Sequence, residues 1–459
     1  MDRSIIKELE RIVGPENLFT APEELRCYSY DATGREFLPE AVALPASAQE
    51  IAAILALANT HRFPVVPRGA GSGMTGGSLP VQGGLVLSFA RLNRILEIDP
   101  ANMIAVVEPG VITGDLQAAL KQYNLMYPPD PASLKFCTIG GNAAECAGGP
   151  SAVKYGVTKD YVLGLTVVLP TGEILQTGVR TEKGVVGYDL THLFIGSEGT
   201  LGIFTRLILR VLPLPEEKRT YLLTFTSLAE ATGHVSKILA AGLTPCTLEY
   251  MDRTAIGVVR GQIPFSLPAD TAALLLLELD GSTEEVERQQ ARLLAYLTRE
   301  GVMHRQATSE AEAREIWQAR RAISPATFSL KPDKISEDIV VPRSKIPELV
   351  GFTEELAREL SLTILTFGHA GDGNIHVNIM LDRSDKEEGR RGEGARERLF
   401  AFVVGLGGTL SGEHGIGITK SRFLPLELSP ATLAVMRNIK NLFDPNHILN
   451  PGKIFPDPV

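Results

Sequence analysis

Residues 67–77, PRGAGSGMTGG, carry the spacing G-x-G-x-x-G at Gly71, Gly73 and Gly76, and what flanks them decides the fold. Residues 64–67 read as a strand and residues 85–89, LVLSF, as another. A nicotinamide-binding Rossmann turn needs a helix opening directly from the glycines, so that the pyrophosphate meets the helix N-terminus. Here the chain runs through residues 78–84 into a strand, which excludes that turn. A strand, a glycine loop and a second strand still suit a dinucleotide. Consecutive exposed N–H groups form an anion-binding nest, and missing side chains let phosphate oxygens come close. A plain turn is the other reading of the same loop.

Upstream, Ile5, Ile6, Leu9, Ile12 and Val13 mark a short amphipathic helix, residues 41–44 a strand, and Ser47 with Glu50 a capping box opening a helix over 48–59. Downstream come a strand at 104–108, a helix over 114–123 capped by Thr113, and a rigid bend at 128–132, PPDPA. TIGGNAAECAGGP, residues 138–150, repeats the glycine-loop style. Residues 161–169 and 173–176 form a hairpin, and residues 194–215 close the unit with another glycine turn and a long strand. The character changes at 213–217. Two β-α-β elements follow, 221–226, 228–241 and 246–251, then 272–280, 284–299 and 302–306, which predicts a ferredoxin-like sheet with helices on one face. Residues 382–398, charged and broken by glycine, read as an exposed loop. The divisions are 1–215, 216–400 and a C-terminal segment 401–459, whose LFDPNHILNPGKIF (442–455) is expected to pack back on the first domain.

The chemistry concentrates in GHAGDGNIHVN, residues 368–378. His369 ends an apolar strand and His376 opens the next, with Asp372-Gly373 as the turn, so the strands return as a hairpin. Cross-strand Cβ atoms lie about 4.5–5.5 Å apart, which lets two imidazoles reach one ion at roughly 2.0–2.1 Å. In SGEHG, residues 411–415, Glu413 supplies a third ligand and His414 stays free as a base. The alternative is that both histidines are hydrogen-bonded structural residues. On the helix predicted over 310–328, Arg320 falls in the apolar stripe of Ile316, Ala319 and Ile323. A guanidinium there is costly unless paired, so Arg320 makes a buried salt bridge or awaits a carboxylate ligand.

With 459 residues the chain suits about three domain-sized units of roughly 150 residues. A net charge of −9 argues against a nucleic-acid partner held by phosphate contacts. The N-terminus lacks a leader's apolar core and carries Asp2, Glu8 and Glu10, and no stretch reaches about 18 uncharged apolar residues, so no membrane span is expected and the protein should stay in the cytoplasm. Cys27, Cys137, Cys146 and Cys246 form no C-x-x-C pair, so an iron–sulfur cluster or structural zinc is not expected. Any single-electron carrier must be another protein.

PRGAGSGMTGG, GGNAAECAGGPSAVKYGVTKDYVLGL, GSEGTLGI, GHAGDGNIHVN, SGEHGIG and DPNHILNPGK, in this order, resemble the flavin-dependent D-2-hydroxyacid dehydrogenases. The resemblance implies an α+β protein: a vanillyl-alcohol-oxidase (PCMH) type FAD domain in two subdomains, then a cap domain. It implies FAD contacts from Pro67, Arg68, Gly69, Ala70, Gly71, Ser72, Gly73 and Met74 around the pyrophosphate. Pro129, Asp130, Thr138, Gly141, Asn142, Gly148 and Ile203 would lie along the flavin, with Asn450 reaching it from the tail. No histidine stands in the glycine loop, so the FAD is expected to be noncovalent; Cys146 stands where relatives commonly have asparagine. The resemblance also places a divalent zinc, manganese or iron on His369, His376 and Glu413, His414 as base, Arg320 on the substrate carboxylate, and Lys331 or Lys334 beside it. The implied reaction is oxidation of D-lactate or glycolate to the 2-oxo acid, with hydride passing to the flavin. Electrons would leave through an electron-transfer flavoprotein or iron–sulfur subunits. D-2-hydroxyglutarate oxidation and a noncatalytic flavin scaffold in a larger complex are the alternatives.

Overall fold

A computed structural model describes residues 1–456, which fall into two compact units. The first comprises 1–148, 157–214 and 413 onward; the second comprises 149–156 and 215–412.

In the first unit, strands β1 (Leu18–Phe19), β2 (Ala41–Ala43), β3 (Val65–Arg68) and β4 (Leu85–Ser88) form a sheet in the order β1-β2-β4-β3. The helix Ala48–His61 starts where its cap predicts: Ser47 Oγ accepts the Glu50 N–H, while the Glu50 carboxylate reaches back to the N–H of Ala46. Its Ile51, Ile54, Leu55 and Ala58 pack with Leu9 and Val13 of the helix Arg3–Val13 into the core against this sheet. Strands β5 (Ile95–Asp99), β6 (Ile104–Val107), β8 (Val162–Val168), β9 (Ile174–Gly178) and β10 (Ile203–Arg210) form a second sheet in the order β5-β6-β10-β8-β9. A ribbon of β7 (Leu125–Met126) and β11 (Leu212–Pro213) ends the unit's central stretch. No helix intervenes between β3 and β4, as the exclusion of the Rossmann turn requires. The tail joins this unit: Leu449 bridges Val65, and the Asn450 N–H donates to the Val65 carbonyl.

The expected glycine loop at 138–150 is in fact opened by a helix, Ile139–Glu145, whose cap is Thr138, with Oγ1 accepting the Gly141 N–H. Its glycine is there for packing, since a Cβ on Gly140 would stand 2.5 Å from Pro109.

The second unit is built on one antiparallel sheet in the order β15-β12-β14-β13-β17-β18-β16. The strands are β12 (Glu217–Phe225), β13 (Thr247–Asp252), β14 (Ala273–Gly281), β15 (Met303–Gln306), β16 (Asp333–Val340), β17 (Thr363–His369) and β18 (Asn374–Leu381). The paired β-α-β halves contribute β15-β12-β14-β13, the ferredoxin-like order, and the histidine hairpin with β16 extends it to seven strands. One face packs under the helices Arg253–Val259 and Glu310–Ala326 through Met251, Leu274, Leu276, Leu365, Phe367, Ile316 and Ile323. Residues 149–156 join this unit because Lys154 Nζ and the Tyr155 hydroxyl both bind the Asp280 carboxylate, at 2.7 and 2.9 Å. The unit runs to Gly412 rather than to about 400, since Thr409 bridges Val340 and the Gly412 N–H donates to Asp338.

Residues 382–398 are not an exposed loop. They enter the helix Lys386–Gly405, capped by Asp385, with Ala395, Leu399, Phe400 and Val403 buried. Gly392 lets that helix approach the sheet, where a Cβ would meet the Leu381 side chain at 2.7 Å.

Candidate active site

In the first unit the glycine loop between β3 and β4 borders a cleft lined by Pro67, Gly69–Met74, Thr138, Gly141, Asn142, Ile203, Phe204, Glu413 and His414, with other residues of the same loops. Among the described residues, no N–H from Ala70 to Met74 donates to a main-chain carbonyl. The loop that carries them borders a mostly apolar cleft, which suits a planar ring system carrying a pyrophosphate. A second hollow adjoins it across Gly69, Ala70, Phe89 and Thr138, and extends to Asn93 and Asp115. FAD fits this donor set.

Arg68, Pro129, Asp130, Gly148 and Asn450, also expected at the flavin, are not among the residues that line this cleft. Arg68 turns its buried guanidinium behind the loop, donating to the Tyr30 carbonyl at 2.7 Å and to Ser78 Oγ. Asn450 braces the loop from behind, its amide donating to the carbonyls of Gly77 and Glu198, at 2.8 and 2.7 Å. Sequence reasoning missed Glu198, which sits in the GSEGT turn with φ 52°. Its two oxygens accept the N–H groups of Ile416 and Gly417, both at 2.7 Å. Burial pushes its carboxyl up, and those two donors oppose the shift. Thr75 completes the clamp, donating to the His414 carbonyl at 2.9 Å and accepting the Ile418 N–H. The His414 imidazole is thus carried on a segment fixed to the glycine loop, with Nε2 3.8 Å from the Glu413 carboxylate.

In the second unit, β17 and β18 form the expected hairpin, closed by the turn 370–373. Pairing of Phe367 with His376 and of His369 with Asn374 makes the two histidines diagonal, not directly opposed. Their rings lie 5.1 Å apart, nearly perpendicular, and offer ligand nitrogens within 4.8 Å of each other. Glu413 follows Gly412 in the chain and is the first residue of the first unit's returning segment.

The Arg320 guanidinium is buried and paired, as one of its two sequence readings holds, and the partner is Glu249 at 2.5 Å. It also stacks over Phe367, 4.8 Å from the ring centre. Glu249, wholly buried on β13, was invisible beforehand except as a lone carboxylate inside the apolar run LEYM. Burial alone would raise its pKa, but His369 and Arg320 hold it down at about 2. Two residues beyond His376, Asn378 is fully buried, and among the described residues neither of its amide atoms has a hydrogen-bond partner. Of the two candidate lysines, Lys331 pairs with Glu388, whereas Lys334 donates to Ser324 on the helix that carries Arg320. Burial pulls Lys334 down to about 8.

Residues 39–178 match the family described as FAD binding domain, and residues 214–454 that described as FAD linked oxidases, C-terminal domain. The chain belongs to the FAD-linked oxidases. This FAD-linked oxidase is 44% identical over 455 residues to glycolate oxidase subunit GlcD of Bacillus subtilis (strain 168), covering 99% of this chain and 97% of that one. It is 35% identical over 460 residues to D-lactate dehydrogenase of Anaerostipes hadrus, covering 96% and 95%. Its fold is that of p-cresol methylhydroxylase, with a TM-score of 0.82 at 18% identity over 98% of this chain and 96% of the other. It is therefore an FAD-linked oxidoreductase with the p-cresol methylhydroxylase fold. Among the described residues no helix is long and apolar enough to cross a membrane.

Proposed function

We propose that this FAD-linked oxidase oxidises a small 2-hydroxy acid, D-lactate or glycolate, to the 2-oxo acid. The observation that carries the reading is the polar group on one face of the second unit's sheet, where a buried guanidinium adjoins two imidazoles with ligand nitrogens within 4.8 Å. A 2-hydroxy acid presents a carboxylate beside a hydroxyl, and this face offers a fork for the first and a metal-type donor pair for the second. The names of the similar proteins, glycolate oxidase subunit and D-lactate dehydrogenase, support the same substrate class.

The imidazoles of His369 and His376 suit a divalent zinc, manganese or iron, because the Glu249 carboxylate takes the Nδ1–H of His369 and so puts the ring's lone pair on Nε2. Glu413 is the third ligand of this proposal. Such a cation, when bound, lowers the pKa of a coordinated oxygen, and FAD supplies the two-electron acceptor.

The chain's own residues do the rest. Among the described residues, the buried Arg320 Nε has no hydrogen-bond partner, and that N–H, together with the amide of Asn378, is assigned to the substrate carboxylate. Lys334 adds positive charge on the same side. His414 takes the hydroxyl proton at its imidazole, and the Thr75 and Glu198 bonds keep that ring from swinging with its loop. The apolar wall of Phe367 and Met251 excludes water from the carboxylate end. Electrons leave to an electron-transfer flavoprotein or to iron–sulfur subunits, and the protein is assigned to the cytoplasm.

Anaerobic mixing with D-lactate, glycolate, D-2-hydroxyglutarate and the L-isomers tests the reading. A small hydroxy acid that bleaches the flavin of the wild type but not of His414→Ala supports it. Bleaching by none of them leaves a flavin-binding scaffold.

A further inference from the structure

We propose that Glu249 is a positioning residue that locks the metal-holding imidazole of His369 and the carboxylate-holding guanidinium of Arg320 into one rigid unit, so that the adjacent hydroxyl and carboxylate of a 2-hydroxy acid are met at a fixed separation. The inference rests on the functional reading above.

The sheet register creates this arrangement. Pairing of Met251 with Phe367 and Tyr250 with Gly368 continues by one residue to bring Glu249 opposite His369 on the same face. The carboxylate then divides its oxygens. Oε1 lies 2.6 Å from Nδ1 of His369, and Oε2 lies 2.5 Å from Nη2 of Arg320. All three side chains are buried, Glu249 completely. A carboxylate only accepts, so Nδ1 must carry the hydrogen, and the lone pair is confined to Nε2. On the other side, Nη2 makes an ion pair with the carboxylate that lacks hydrogen-bond alignment, and the guanidinium lies over the Phe367 ring, so the anion and the ring together confine the guanidinium. The same anion offsets the Arg320 charge. Without it, a guanidinium and a divalent cation would adjoin one another in a site with little water to screen them.

The arrangement differs from an ordinary buried ion pair in having two partners with separate tasks. An ion pair serving the fold alone would need neither a fixed imidazole tautomer nor a guanidinium with an unbonded Nε. Carboxylates that hydrogen-bond the far nitrogen of a metal-binding imidazole change metal affinity by about 10–100-fold when altered.

The test uses full-length FAD-loaded protein stripped of metal, as wild type, Glu249→Gln and Glu249→Ala. Three quantities are read: the Kd for Mn2+ and Zn2+ by competition with a chromogenic chelator, the KM and kcat for the hydroxy acid at saturating metal, and the His369 tautomer by NMR of histidine-labelled protein, assigned through His369→Gln. The wild type binds one cation per chain with His369 as the Nδ1–H tautomer. Glu249→Gln weakens the cation by about 10–100-fold and raises KM more than it lowers kcat, with FAD content unchanged. Loss of the fixed tautomer in Glu249→Ala adds a readout independent of turnover; if that variant fails to fold, the near-isosteric glutamine variant carries the test. A wild type that binds the cation while Glu249→Gln matches it in Kd and KM overturns this proposal and leaves the functional reading standing. A wild type that binds no cation overturns both.

Discussion

The Thr75 hydroxyl donates to the main-chain carbonyl of His414 at 2.9 Å, joining the glycine loop to a residue 339 positions later in the chain. The bond joins two parts of the first unit's cleft, since Met74, next to Thr75, and His414 both line it. The bond therefore ties the segment carrying the proposed base to the loop carrying the proposed phosphate donors.

Thr75→Val keeps the shape of this buried side chain and deletes the donor. Losing this hydrogen bond costs about 0.5–1.5 kcal/mol, measurable by denaturant unfolding. The rate of flavin reduction falls by up to about 100-fold, as a displaced catalytic group implies, while FAD content is retained. Unchanged reduction kinetics would show that the His414 segment holds its place without Thr75.

Arg320→Met removes one side of a buried pair and leaves Glu249 with His369 alone. Breaking such a pair costs about 3–5 kcal/mol, so the variant melts well below the wild type. Arg320→Lys keeps the charge but loses the planar fork. Its expected signature in steady-state kinetics is a raised KM for the hydroxy acid with a smaller stability loss.

Lys334 gives the account a pH limb. Because burial holds its amine down at about 8, the charge is present at pH 7 and is lost as pH rises through that value. Apparent KM for a carboxylate substrate should climb above about pH 8 in the wild type. In Lys334→Met, KM is already raised at pH 7 and the climb disappears. A limb of equal size in the variant would assign it to another group.

Cys146 ends the helix Ile139–Glu145 with φ 56° and ψ 48°, the left-handed cap conformation that glycine and asparagine adopt most readily. A side chain there costs roughly 1–2 kcal/mol, against about 0.5–1 kcal/mol of extra unfolded-state entropy for glycine. Cys146→Gly should raise stability by about 0.5–1 kcal/mol on that balance, visible as a small rise in Tm.

What could be read in advance was local. Strands on both sides of the glycine loop, the Ser47 cap and the hairpin around Asp372-Gly373 depend on near neighbours, and they form as the residues dictate. Arg320 stood out because a guanidinium interrupts an apolar stripe, but its partner did not, since Glu249 reaches it only through strand pairing. The helix Lys386–Gly405 was hidden by Gly389, Gly392 and Gly394, whose low helix propensity is outweighed by the close approach to Leu381 that Gly392 permits. The helix after Thr138 was masked in the same way by Gly140 and Gly141, of which Gly140 lies against Pro109. The extension of the ferredoxin-like sheet by β17, β18 and β16 depends on pairings that no single segment announces.

The central claim is that the imidazoles of His369 and His376 hold a cation needed for oxidation but not for flavin binding. Anaerobic stopped-flow absorbance of the FAD-loaded enzyme, stripped of metal and then reloaded with Mn2+ or Zn2+, measures this directly with D-lactate or glycolate as reductant. The account predicts that the stripped enzyme and His376→Ala keep their FAD yet stay oxidised, and that reloading restores reduction only in the wild type. Reduction at the wild-type rate by stripped enzyme, or by His376→Ala, would contradict it.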